Sequence, residues 1–146
     1  MINWSLFVEI NEKMGMSILA GFLAAAVSYY LNGKALALMG ENAVTYGAPV
    51  IEEVSKTGIA VLVSGDILFT HIIFGTAEAL CDIIKNRGRR SYTAGAAGLM
   101  SHAAFGAITV FFHSLLKSLL VGVAAAVTVH MFWNYIVLNA HIKDKK

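Results

Sequence analysis

The stretch YGAPVIEEVSKTGIAVLVSG, residues 46–65, decides how the chain is read. Its apolar length is that of a membrane-crossing helix, yet Glu52, Glu53 and Lys56 stand within five residues of one another. A central Asp, Lys or Arg costs about 2.5–3.5 kcal/mol on insertion scales, so such residues normally face a bundle interior and mark function. The remainder of the chain has to supply their partners.

The composition supports the membrane reading. Of 146 residues, 58% are hydrophobic and 14% charged, with a mean hydropathy of +0.69. A soluble domain carries about 25% charge, and a chain this short cannot enclose so much apolar surface in one core. An integral membrane protein with the lipid bilayer as its solvent follows. The net charge of +2 points to no nucleic-acid partner. The single cysteine, Cys81, rules out an internal disulfide and reads as a small buried hydrophobe.

Apolar segments predict an all-α bundle of five transmembrane helices in one domain, 1–146. The spans fall at about 16–32, 43–64, 66–86, 93–113 and 117–140. Residues 1–14 carry Glu9, Glu12 and Lys13, the wrong charge for a signal peptide. Trp4, Phe7, Ile10 and Met14 recur at helical spacing there, which predicts an interfacial helix. NGK at 32–34 is read as the end of the first span. In SGD at 64–66, Gly65 suits a helix C-cap and Asp66 the next N-cap.

Five spans place Lys34, Lys85, Arg87, Arg89, Arg90, Lys143, Lys145 and Lys146 on one side and only Lys13 and Lys117 on the other. The positive-inside rule makes the first side cytoplasmic, with the C-terminus. The plasma membrane of a prokaryote is the expected location.

Four spans carry polar groups to one depth: Glu52, Glu53 and Lys56, then Glu78, His102, and His130 with Asn134. Counted at 1.5 Å per residue, Glu52, Glu78, His102 and His130 share a layer about 12–17 Å below the cytoplasmic face. Lys56 can reach Glu53 at i,i+3 or Glu52 at i,i+4. His71 falls off this layer and reads as interfacial, and Asp82 as a rim residue. His113 and His141 read as helix-end residues, and FWNYIV at 132–137 as core and interface aromatics. Pro49 frees an upstream carbonyl. Small-residue stripes on the fourth span (Gly95, Gly98, Gly106) and the fifth (Gly122, Ala126) permit close helix approach, or leave room for a peptide backbone.

These residues resemble the motifs of PrsW-type intramembrane proteases, relatives of the type II CAAX prenyl endopeptidases. EEVSK (52–56) is similar to their EExxK, FGTAE (74–78) to the second motif, His102 in SHAAFG to the third, and HMFWN (130–134) to the HxxWN motif. The resemblance covers about residues 48–135. It implies hydrolysis of a peptide bond in a membrane-associated protein or peptide. Glu52 would be the general base, Glu53 or Lys56 would hold the network, and Glu78 and His102 would orient water or bind metal. His130 and Asn134 would donate to the oxyanion. A divalent ion such as zinc would take Glu52, Glu78, His102 and His130 as ligands; the same residues also make a metal-free glutamate protease. Two other classes stay open: a non-catalytic scaffold or immunity-type binding protein of the same fold, and a proton- or ion-coupled transporter. Five spans without an inverted repeat count against the transporter.

Overall fold

The computed structural model describes residues 4–86 and 88–143. They form helices α1 (Trp4–Met39), α2 (Ala48–Leu62, preceded by a π-helical turn Ala43–Gly47), α3 (Ile67–Lys85), α4 (Arg89–Leu116) and α5 (Leu119–Lys143), with no strand among them. The all-α bundle is as expected. Residues 1–3, Arg87, Lys145 and Lys146, used above for the amphipathic and charge patterns, lie outside the described residues, as do the side chains of Phe7 and His141.

The first two expected segments are a single helix. No proline interrupts residues 4–39, so the interfacial stretch 1–14 and the span 16–32 run together from Trp4 to Met39, about 54 Å at 1.5 Å per residue. NGK does not end it. Gly33 stays helical, at a cost of about 1 kcal/mol against alanine, and the stop comes at Gly40, whose φ of 59° is left-handed. The extension brings Asn32 into mid-helix. A stripe of small residues, Ser17, Ala20, Gly21, Ala24 and Ser28, is buried along α1. A Cβ on Gly21 would sit 2.5 Å from Ile73, so α1 and α3 meet closely there.

The expected span 43–64 is composite. Pro49 lies in the first turn of α2, where its ring would press on the carbonyl four residues back in a regular α-helix. The preceding turn widens to π register, and Ala48 N–H bonds the Ala43 carbonyl five residues back. By itself α2 has 15 residues, about 22 Å, short of the roughly 30 Å of a hydrocarbon core. It packs against α1, α3 and α5, which enclose its charged residues.

Four helices among the described residues are long and apolar enough to cross a membrane: Val8–Met39 of α1, α3, Ser91–Leu116 of α4 and Leu119–Ala140 of α5. Their outer faces display Phe22, Leu80, Met100, Phe111, Leu120 and Phe132, all exposed. Such a surface suits lipid and not water. The chain is a membrane helix bundle.

The α2–α3 turn corrects one expectation. Ser64, with φ 59°, takes the left-handed position, and Gly65 follows it, its N–H reaching back to the Ala60 carbonyl at 2.8 Å. Gly65 is small for a different reason: a Cβ there would lie 3.2 Å from the Ser17 backbone. Asp66 caps α3 as expected, accepting from Phe69 N–H at 2.9 Å. The Asp66 N–H in turn donates to Ser17 Oγ at 2.7 Å, which ties the turn to α1.

Candidate functional site

Glu53 lies at the centre of the bundle with no exposed surface. Its Oε1 accepts from Lys56 Nζ at 2.6 Å and meets His130 Nδ1 at 2.9 Å; its Oε2 meets His71 Nε2 at 3.0 Å. Three helices therefore converge on one carboxylate. A buried charge is tolerated only when it is paired in this way. Lys56, also fully buried, chooses Glu53 over Glu52, and its ammonium further touches His102 Nδ1 at 3.1 Å and the face of Phe74 at 4.6 Å.

Hydrogen-bond roles follow from the partners. An ammonium only donates, so His102 Nδ1 accepts from Lys56, and the ring proton sits on Nε2 and is donated to Glu78 Oε2 at 2.7 Å. His71 Nδ1 faces the Ile67 carbonyl at 2.8 Å and must donate to it, so the Nε2–Glu53 contact holds a further shared proton. Phe105 stacks on His130 with ring centroids 4.4 Å apart and sets its plane.

Glu52 is also buried but is far less fully partnered than its neighbour. Its Oε1 accepts from Asn32 Nδ2 at 3.0 Å, while Oε2 stands 3.9 Å from His130 Nε2, beyond direct hydrogen-bond reach. It lines a cleft of about 770 Å³ with Asn32, Tyr30, Lys34 and Asn134. Glu78 lines a second, of about 720 Å³, with Asn32, Cys81, Asp82 and Lys85. Both volumes suit a small ligand or a short peptide segment. A larger cavity of about 920 Å³, at the end of the molecule near Glu12, Lys13 and Ser64, holds none of this network.

Asn134 donates its amide to the Val44 carbonyl at 2.8 Å. In the π turn that carbonyl has no helical donor: Ala48 N–H is spent on Ala43, and Pro49 has no N–H. Asn134 thus repairs the proline's missing bond, and it also lines the Glu52 cleft.

All six expected site residues, Glu52, Glu53, Glu78, His102, His130 and Asn134, fall in this region. Sequence reasoning missed two others. His71, expected at the interface, is wholly buried on Glu53; its i,i+7 spacing to Glu78 on α3 was the available signal. Asn32, in the expected stop NGK, lies instead within α1 and bonds Glu52. Three further expectations change. Cys81 is exposed in the Glu78 cleft and is not a core residue. Phe132, Trp133 and Tyr135 face outward and are not core aromatics. Two glycines that meet histidines are closely packed, with a Cβ on Gly106 2.8 Å from His71 Cβ and one on Gly75 3.0 Å from His102 Cβ, whereas Gly98 has open space. Asp82 and His113 are exposed, as expected.

Ligand atoms of Glu52, Glu78 and His102 lie within 4.8 Å of one another, and His130 is not in this group. A metal on His102 Nε2 needs the ring proton on Nδ1, donated to an acceptor. Nδ1 instead faces the Lys56 ammonium. As arranged, the Nε2 proton of His102 faces Glu78, so a metal on that nitrogen would have to displace it. No family model, curated protein or solved structure matches the chain.

Proposed function

We propose that the protein is a metal-free intramembrane peptidase that hydrolyses a peptide bond of a membrane-associated protein or peptide, with Glu52 as general base. The observation that carries the reading is the division of labour in the Glu52–Glu53 pair. Glu53 is saturated by Lys56, His71 and His130, whereas Glu52 keeps an oxygen free of any close partner beside a cleft. The order of the PrsW-like motifs, and the hydrogen bonds that link Glu53, Lys56, Glu78, His102 and His130, support it further.

In this reading Glu52 takes a proton from water as the water oxygen adds to the peptide carbonyl carbon. The C–N bond then breaks, the same proton passes to the amide nitrogen, and acid and amine leave. Glu78 and His102 orient the water. Asn134 keeps a second N–H for the oxyanion. His130, whose Nδ1 is engaged by Glu53, can donate from Nε2 only as the imidazolium. The excess of basic residues at the loops on the C-terminal side supports a cytoplasmic position for that side, and a prokaryotic plasma membrane is part of the same proposal.

The test is incubation of the purified protein, in detergent and in vesicles, with a pool of hydrophobic peptides in ¹⁸O-labelled water. Mass spectrometry should find products with ¹⁸O in one new carboxylate, and Glu52→Gln should abolish them while the helical circular dichroism is kept. Folded protein that cleaves nothing, with a cellular phenotype unaffected by Glu52→Gln, would leave the scaffold or immunity-type reading in its place.

A further inference from the structure

Asn32 is used twice. Its Nδ2 donates to Glu52 Oε1 at 3.0 Å, which fixes the base. Its Oδ1 is buried and has no hydrogen-bond partner, a state that costs about 1–3 kcal/mol and that native structures seldom leave unexplained. Asn32 and Tyr29 also line both clefts, so this side chain stands where the Glu52 and Glu78 clefts adjoin. The orientation of Oδ1 is not adjustable, because a flip of the amide would set oxygen against the Glu52 carboxylate.

We infer that Asn32 is a substrate-binding and positioning residue, whose Oδ1 accepts a backbone N–H from an extended peptide lying across the two clefts. The inference rests on the peptidase reading and names its substrate class more closely. A helix in lipid has its N–H groups satisfied internally. Only an unwound segment or the first turn of a helix can offer one to Asn32, so the site selects unwound or helix-terminal peptide and rejects an N-alkylated residue, proline included, at that one position.

The native Cys81 is a reporter, since it is exposed in the cleft that Asn32 also lines. The full chain in detergent is treated with a maleimide in the presence of a Leu-Ala host peptide, then with the same peptide carrying single N-methyl groups at successive amides. One N-methyl position should weaken protection of Cys81 about tenfold, the loss of one buried hydrogen bond. In Asn32→Leu that position should no longer differ from its neighbours. Asn32→Gln, which keeps both the amide donor and an acceptor oxygen, should retain the difference and also covers the case in which the leucine variant fails to fold. Equal protection by every N-methyl peptide, the same discrimination in Asn32→Leu, or no protection by any peptide would overturn the inference. Position-dependent protection without cleavage would sustain the Asn32 site and reject hydrolysis, so the two readings fail separately.

Discussion

Lys56 Nζ lies 2.6 Å from Glu53 Oε1, and neither side chain has any exposed surface. Glu52 is as near along the helix, but it takes its hydrogen bond from Asn32 on α1. Two adjacent glutamates therefore do different things. One holds three helices together, and the other faces a cleft.

This division predicts opposite mutational phenotypes. Lys56→Met leaves Glu53 as a buried carboxylate with a donor removed, and should cost about 3–5 kcal/mol. Adding Glu53→Gln should recover part of that loss. Glu52→Gln removes little more than a charge-assisted contact and should cost about 1.5–3 kcal/mol at most. Denaturant unfolding in micelles of fixed composition measures all three. A Lys56→Met protein as stable as the parent would show that the pair does not hold the bundle.

The bond from Asn134 to the Val44 carbonyl exists because of Pro49. Asn134→Leu should therefore lose about 1–3 kcal/mol, the cost of an unsatisfied carbonyl. In a Pro49→Ala background the new N–H at position 49 can serve that carbonyl, and the same substitution should cost clearly less. A double-mutant cycle reads the coupling directly. Additive effects would refute the link.

Gly106 and Gly98 share α4 but not an environment. A Cβ at 106 would press on His71 at 2.8 Å, whereas nothing lies within 4 Å of one at 98. Gly106→Ala should destabilise by about 1–3 kcal/mol through overpacking and should disturb His71. Gly98→Ala should be neutral, or gain up to about 1 kcal/mol of helix propensity. Thermal melts of the two variants decide it.

The donor pattern at His102 predicts indifference to chelators. Dialysis against 1,10-phenanthroline should leave hydrolysis and the melting temperature unchanged, whereas a zinc site would lose both. Loss of a hydrolytic activity that zinc restores would reject the metal-free reading and the Lys56–His102 donor pattern it uses.

Much of the fold and of the site was legible in the residue order. Apolar stretches long enough to cross a bilayer, interrupted at SGD and the basic loop, marked most of the helices, because lipid admits few other backbones. The polar residues stood out because each is costly in that setting, and Glu52, Glu53, Glu78, His102 and His130 indeed meet. Helix ends were less legible. Asn-Gly at 32–33 has the composition of a stop, and only the packing of α1 against α2 and α3 carries the helix past it.

Depth counting also misplaced His71. It assumed parallel axes and equal ends, while α3 packs chiefly on α4 and α1 and brings His71 under Gly106 and onto Glu53. Spacing along α2 allowed Lys56 either glutamate, so the sequence could not say which one was free. That choice belongs to the tertiary structure. His71 and His130 come from other helices to complete the shell of Glu53, and Asn32 comes from α1 to hold Glu52. By itself the sequence determined that costly polar groups had to find one another inside lipid. Which carboxylate was enclosed and which was left facing a cleft depended on partners far apart in the chain, and only their packing could decide it.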